Sequence, residues 1–213
     1  MVALAEAVAG HAPGLMVRGA TLASEGSLEA ALAGLCRPMV YPFFMAEGYF
    51  TTDVLPARIS ATGRNAEILP AFGSDPALPA LIAEAAMEGA SAHGFAPSST
   101  TLVLAAHGSQ VSPASKQRTL DLVRRLKPAT SFESIVTGFI EEEPFLHDAA
   151  RGVGQALCLP LFTLQAGHVT DDIPAALKHA SFEGVLLPHI GAHPALPAMI
   201  AASLTRDVRK AAA

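Results

Sequence analysis

Two histidines and one acidic residue carry most of the chemistry this sequence offers. His107 closes the apolar run TLVLAA and is followed by Gly108 and Ser109. His168 stands in AGHVTDDIP, 61 residues further on, and Glu141 opens an acidic run, Glu141-Glu142-Glu143, directly after SIVTGFI. Imidazole and carboxylate together suit Fe, Co or Ni in a site with open positions. Each residue alone has a plainer reading. His168 would cap a helix or pack, His107 would satisfy loop carbonyls, and an acidic run is favourable charge at a helix start. Only their joint placement raises them above these readings.

That placement follows from the elements between them. The β-rich runs TLVLAA, SIVTGFI, ALCLPLF and GVLLP alternate with helix-like stretches beginning near Pro113, Glu142, Thr170 and His193. Continuous apolar strands separated by helices imply a parallel sheet covered on both faces. In such α/β sheets ligands sit beyond the carboxyl ends of the strands. His107, Glu141 and His168 each follow a strand, so the topology gathers them at one edge. Thr170 or Asp171 can cap the helix after His168, and Pro174 is tolerated in its first turn. A helix N-terminus disfavours a protonated imidazole, which predicts a neutral His168 near pH 7. Asp171 or Asp172 would orient that ring. Glu142 or Glu143 is expected at a helix start, with Glu141 facing the cleft. Gly108 allows a sharp turn after His107. Lys116, Arg118, Arg124, Arg125 and Lys127 are candidates to flank a site for an acidic ligand, although helix surfaces carry such charges for solubility alone.

An internal repeat organises the chain. LPAFGSDPALPALIA (residues 69–83) aligns without a gap on LPHIGAHPALPAMIA (residues 187–201), an offset of 118. The same offset pairs Pro56 with Pro174, Phe44 with Phe162, and Asp53 with Asp171. The sequence therefore divides into a repeat over 1–95 and a second over 96–213, joined in the stretch AHGFAPSSTT. The first has no counterpart of the His107 strand and begins inside its first helix, VALAEAVAG. Either an upstream segment is missing or this unit survives on three strands. It also puts Phe50, or Tyr49 after a one-residue slip, where the second repeat has His168. The second unit is thus expected to carry the chemistry and the first to be structural.

The totals exclude several classes. With 51% hydrophobic and 15% charged residues the chain can bury a full core. A formal charge of −5 argues against a general nucleic-acid binder. No run approaches the ~18 apolar residues of a membrane span, and the N-terminus lacks a signal pattern. Two cysteines, Cys36 and Cys158, make neither a disulfide framework nor a thiolate metal site, so a cytoplasmic location is expected. Gly152-Val153-Gly154 precedes a strand, the wrong order for a dinucleotide loop. Ser109 lacks a G-x-S-x-G setting. His11 and His93 read as loop residues, and His147 and His179 as helical. His189 and His193 lie near the last strand's carboxyl end, where they could line the mouth. The open edge of an incomplete first sheet would favour a homodimer.

At these residues a family becomes recognisable. LVLAAHGS, GFIEEEPFL, AGHVTDDIP and IGAHPALPAMI resemble, in order and spacing, the CbiX/SirB family of class II chelatases, sirohydrochlorin cobalto- or ferrochelatases. The resemblance covers the second repeat fully and the first more weakly. It implies two tandem flavodoxin-like α/β units related by pseudo-twofold symmetry and a cleft that admits a tetrapyrrole. It also implies insertion of Co2+ or Fe2+ into sirohydrochlorin or a related ring, in cobalamin or sirohaem biosynthesis. His107 and His168 would bind the metal and Glu141 would be the acidic site residue. The partners implied are the tetrapyrrole and the divalent ion, with no cofactor beyond that substrate metal, no nucleic acid and no membrane. The damaged first repeat motivates the alternative of a non-catalytic tetrapyrrole or metal binder.

Overall fold

The computed structural model describes residues 1–110 and 114–211. The chain forms two compact units, one of residues 1–75 with 194–213 and one of residues 76–193. The first contains helices α1 (Val2–His11) and α2 (Ser27–Leu32), strand β1 (Met39–Val40), helix α3 (Leu55–Ala61) and strand β2 (Glu67–Ile68). The second follows with α4 (Leu78–Ala92), β3 (Thr101–Ala106), α5 (Ala114–Leu126), β4 (Ser134–Phe139), α6 (Leu146–Ala149), β5 (Ala156–Pro160), α7 (Ile173–His179) and β6 (Val185–Leu186). The last helix, α8 (Leu196–Ala211), belongs to the first unit.

The second unit is built on a four-stranded, all-parallel sheet of order β4-β3-β5-β6. Ranked along the chain this is 2-1-3-4, the doubly wound order whose ligand crevice opens between the first and third strands. Every residue of β3 is buried, as a central strand covered on both faces must be. Its side chains alternate between two layers. Val103 and Ala105 join Cys158 of β5, Leu146 of α6, and Ile173 and Leu177 of α7 in one cluster. On removal from water, each large aliphatic side chain of this kind contributes about 1.5–3 kcal/mol. Helix α4 packs on β5, and a Cβ on its Gly89 would lie 2.7 Å from Cδ1 of Leu187, just beyond β6.

The first unit has a smaller frame. Its sheet is the parallel pair β1-β2, not the three strands the repeat suggests. The segment equivalent to β4 would lie near residues 16–21, and it is not a strand. Leu28, Leu32, Leu55 and Ile59 form the core beneath the pair, while α8 is tied in through Asp75. That buried carboxylate accepts the Tyr41 hydroxyl at 2.9 Å and the Ser203 hydroxyl at 2.5 Å. Burial, and then the Asp75 charge, push the Tyr41 phenol well above its ordinary range.

Other sequence expectations need adjustment. The helix start near Pro113 lies outside the described residues; α5 is described from Ala114. No helix begins at Glu142. The segment bends back so that Phe139 N–H donates to Pro144 O at 2.9 Å, and α6 starts only at Leu146. Pro144 disfavours helical geometry at Glu143, which excludes a helix through the acidic run. His11 is not in a loop but ends α1. Among the described residues no helix is long and apolar enough to cross a membrane.

Candidate metal centre

The strand ends of the second unit converge as the topology demands. His107 follows β3, Glu141 lies two residues beyond β4, and His168 opens a π-helical turn, His168–Asp172, that runs into α7. The sheet ladder continues one step past the strands: Ile140 N–H donates to Ala106 O at 3.0 Å and Glu141 N–H to His107 O at 3.0 Å. His107 Nε2 stands 3.8 Å from Glu141 Oε1. The His107 and His168 rings meet edge to face with centroids 4.5 Å apart. One ligand atom from each of the three residues lies within 4.8 Å of the others, and no other such group occurs among the described residues. The side chains of His107, Glu141 and His168 keep 46%, 41% and 37% of their exposure. They line an open rim that an incoming molecule can reach.

Hydrogen bonds fix which nitrogen faces the rim. His107 Nδ1 lies 2.9 Å from Gly108 O, and His168 Nδ1 lies 2.7 Å from Asp172 Oδ2. A carbonyl or carboxylate oxygen can only accept, so both Nδ1 atoms carry protons. In a neutral ring Nε2 then carries the lone pair that a cation needs, the usual arrangement of a metal-binding histidine with an outer partner. Of the two aspartates expected to orient His168, Asp172 does so; Asp171 accepts the Thr170 hydroxyl at 3.0 Å. The expected cap is absent. Neither Thr170 nor Asp171 bonds a free N–H at the start of the turn, because the wider π turn begins at His168 itself. Pro174 sits in the first turn of α7 as expected.

Gly108 turns the chain after His107 with φ +78°. A Cβ there would lie 2.8 Å from Glu142 Cγ and 3.0 Å from Phe139 Cβ, so a side chain would strain the turn and displace Glu142. Glu142, expected at a helix start, instead accepts the Ser109 N–H at 2.9 Å. The carbonyl of Glu143 accepts from Lys116 Nζ, which also lies 5.8 Å from the Phe139 ring. Arg124 pairs with Asp121 and Arg125 donates to Pro76 O.

Sequence reading passed over Phe162, whose ring centroid is 6.4 Å from that of His107 and 6.0 Å from that of His168. The repeat held a signal for it, since Phe44 occupies the aligned position. His189 Nδ1–H donates to the Phe162 carbonyl at 3.0 Å, which makes it a support of that loop. His193 pairs with Glu88 at 3.2 Å, and His147 stacks on His179 at 4.6 Å; none of these four belongs to the cluster around His107.

The CbiX family model matches residues 101–207, a span that contains the whole cluster. Among solved structures, a CbiX described as the terminal enzyme for biosynthesis of siroheme in denitrifying bacteria is 46% identical to the chain. The two superpose with TM-score 0.88 over 96% of this chain and 89% of that one. The chain belongs to the CbiX family. More distant structures share the fold. SirB from Bacillus subtilis with Fe3+ has 14% identity and TM-score 0.77, covering 95% of this chain and 86% of its own. DR2241 from Deinococcus radiodurans, a multi-domain protein with structural similarity to chelatases, has 23% identity and TM-score 0.78, covering 93% of this chain and 49% of its own. No curated protein matches the chain. The CbiX match spans the segment in which the two histidines and Glu141 meet.

The first unit also contains a π turn. This second turn, Phe50–Val54, precedes α3 as His168–Asp172 precedes α7, again 118 residues apart. At that offset Phe50 falls on His168 and Tyr49 on Gly167.

Proposed function

We propose that this CbiX-family chain is a class II metal chelatase that inserts Co2+ or Fe2+ into sirohydrochlorin or a closely related tetrapyrrole. The observation that carries this reading is the convergence of His107, Glu141 and His168 within 4.8 Å, in a chain 46% identical to a CbiX of siroheme biosynthesis. Two imidazoles and a carboxylate form a donor set for a divalent first-row metal and leave coordination positions open. The metal and the ring are both substrates, and no redox step is required. Metal enters as a dication, two pyrrole N–H protons leave, and the product ring carries the metal.

His107 and His168 would hold the ion through Nε2 while the macrocycle approaches. Glu141, beside His107, would complete the donor set or accept a pyrrole proton. Its half exposure lets that proton pass on to water. Partners are thus the metal and the tetrapyrrole, with no further cofactor invoked.

The repeats over 1–95 and 96–213 are best read as a tandem duplication of a flavodoxin-like unit, the first lacking the opening strand and serving a structural role. Matching bounds for the π turns, for α3 and α7, and for β2 and β6 support this. The test is an absorbance assay of metal insertion into sirohydrochlorin. His107→Ala and His168→Ala should each lose at least about 100-fold in rate at subsaturating metal. Undiminished turnover in both variants would remove these residues from the reaction.

A further inference from the structure

The two candidate ligands are oriented by different means. His168 has a carboxylate of its own, Asp172, bonded to Nδ1–H at 2.7 Å. His107 has a main-chain carbonyl, Gly108 O, at 2.9 Å. That carbonyl and the Ser109 N–H belong to one peptide unit, which is planar and rotates as a piece. The Ser109 N–H donates to Glu142 Oε1 at 2.9 Å. A single rigid plate therefore joins the Glu142 carboxylate on one edge to the His107 ring on the other.

Gly108 sits at φ +78°, where glycine has more conformational freedom than any other residue. On the far side, His107 O accepts from Glu141 N–H at 3.0 Å, which holds the backbone before the plate. The carbon stem of Glu142 lies in the space a Gly108 Cβ would occupy, 2.8 Å from that position. Glu142 thus packs against the turn and bonds its peptide.

We propose that Glu142 is a positioning residue for His107. Acting through the Gly108–Ser109 peptide, it does for His107 what Asp172 does for His168. It holds the Gly108 carbonyl toward Nδ1, keeps the proton there, and leaves Nε2 as the metal-facing nitrogen. A charged acceptor on the N–H polarises the peptide and strengthens the bond its carbonyl accepts. The acidic run divides its work accordingly. Glu141 faces the site and Glu142 orients a ligand from behind. The inference builds on the metal-site reading for its purpose, but its geometry is testable without metal.

The experiment is 15N–1H NMR of the His107 ring in the metal-free protein, at a pH where the ring is neutral. It is paired with visible-absorption titration of Co2+. Wild type and Glu142→Gln, which keeps an acceptor oxygen, should show the Nδ1–H form of His107. Glu142→Ala should shift His107 toward a mixture of both tautomers while His168 stays unchanged. Co2+ affinity should fall about 10- to 100-fold in Glu142→Ala and about threefold or less in Glu142→Gln. An Nε2–H His107 in the wild type would overturn the proposal, as would an unchanged tautomer in Glu142→Ala. Equal loss of Co2+ affinity in both variants with the tautomer unchanged would also overturn it, because charge near the ion would then be the cause. A wild type with the Nδ1–H form that binds no Co2+ would refute the metal-site reading and leave the orienting role standing.

Discussion

His168 and Asp172 face each other across one turn of π helix, Nδ1 to Oδ2 at 2.7 Å, both partly exposed. The widened turn starts at the histidine, so ligand and orienting carboxylate come from a single five-residue stretch, HVTDD. That bond sets the ring's tautomer.

Asp172→Ala should therefore weaken Co2+ binding about 10- to 100-fold, with metal KM rising more than kcat falls. Asp172→Asn keeps an acceptor oxygen and should recover part of that loss. Titration of both variants with Co2+ followed by visible absorption checks the order. Identical affinities for wild type and Asp172→Ala would show that the ring needs no such partner.

Phe50 tests the repeat. It opens the first unit's π turn as His168 opens the second's, yet among the described residues no metal-type group forms around it, and Ala23 stands 118 residues before Glu141. One imidazole without companions is a weak ligand. Phe50→His should leave the stoichiometry at one Co2+ per chain by equilibrium dialysis. Two tightly bound ions would mean that the first unit holds unrecognised donors.

The strands were the most legible part of the sequence. Continuous apolar runs such as TLVLAA between helix-like stretches fit a doubly covered parallel sheet, and the functional edge of such a sheet follows from topology. His107, Glu141 and His168 were thus readable as a group. What escaped depends on contacts that spacing does not encode. Glu142 meets Ser109 across 33 residues, and only folding brings those loops together. The acidic run resembled a helix start until Pro144 is given its effect on Glu143. The cap expected at Thr170 failed because the helical path already begins at His168, in a π turn that contains Thr170. Packing of α8 with the first unit, through Asp75 and Ser203, likewise has no signature in the local pattern.

The two cysteines should behave oppositely. Cys36 is exposed, while Cys158 is buried in β5, and burial raises its thiol pKa to about 12. A thiol reagent should modify one cysteine per folded chain at pH 8 and two after denaturation. The raised folded value also sets a sign. The Cys158 contribution is complete below the unfolded pKa of 9.0 and is lost as pH climbs toward 12, by at most ~1.4 kcal/mol per pH unit. The stability difference between wild type and Cys158→Ala, from urea unfolding at pH 8 and pH 10.5, should therefore shrink at the higher pH. A constant difference would place the thiol in a wetter setting.

The most direct measurement is an anomalous difference map at the cobalt edge from crystals soaked in Co2+. The account predicts one dominant peak bonded to Nε2 of both His107 and His168, with Glu141 beside it. A peak bound elsewhere, such as at the stacked His147 and His179, with the His107–His168 rim vacant in a protein that still inserts metal, would contradict it.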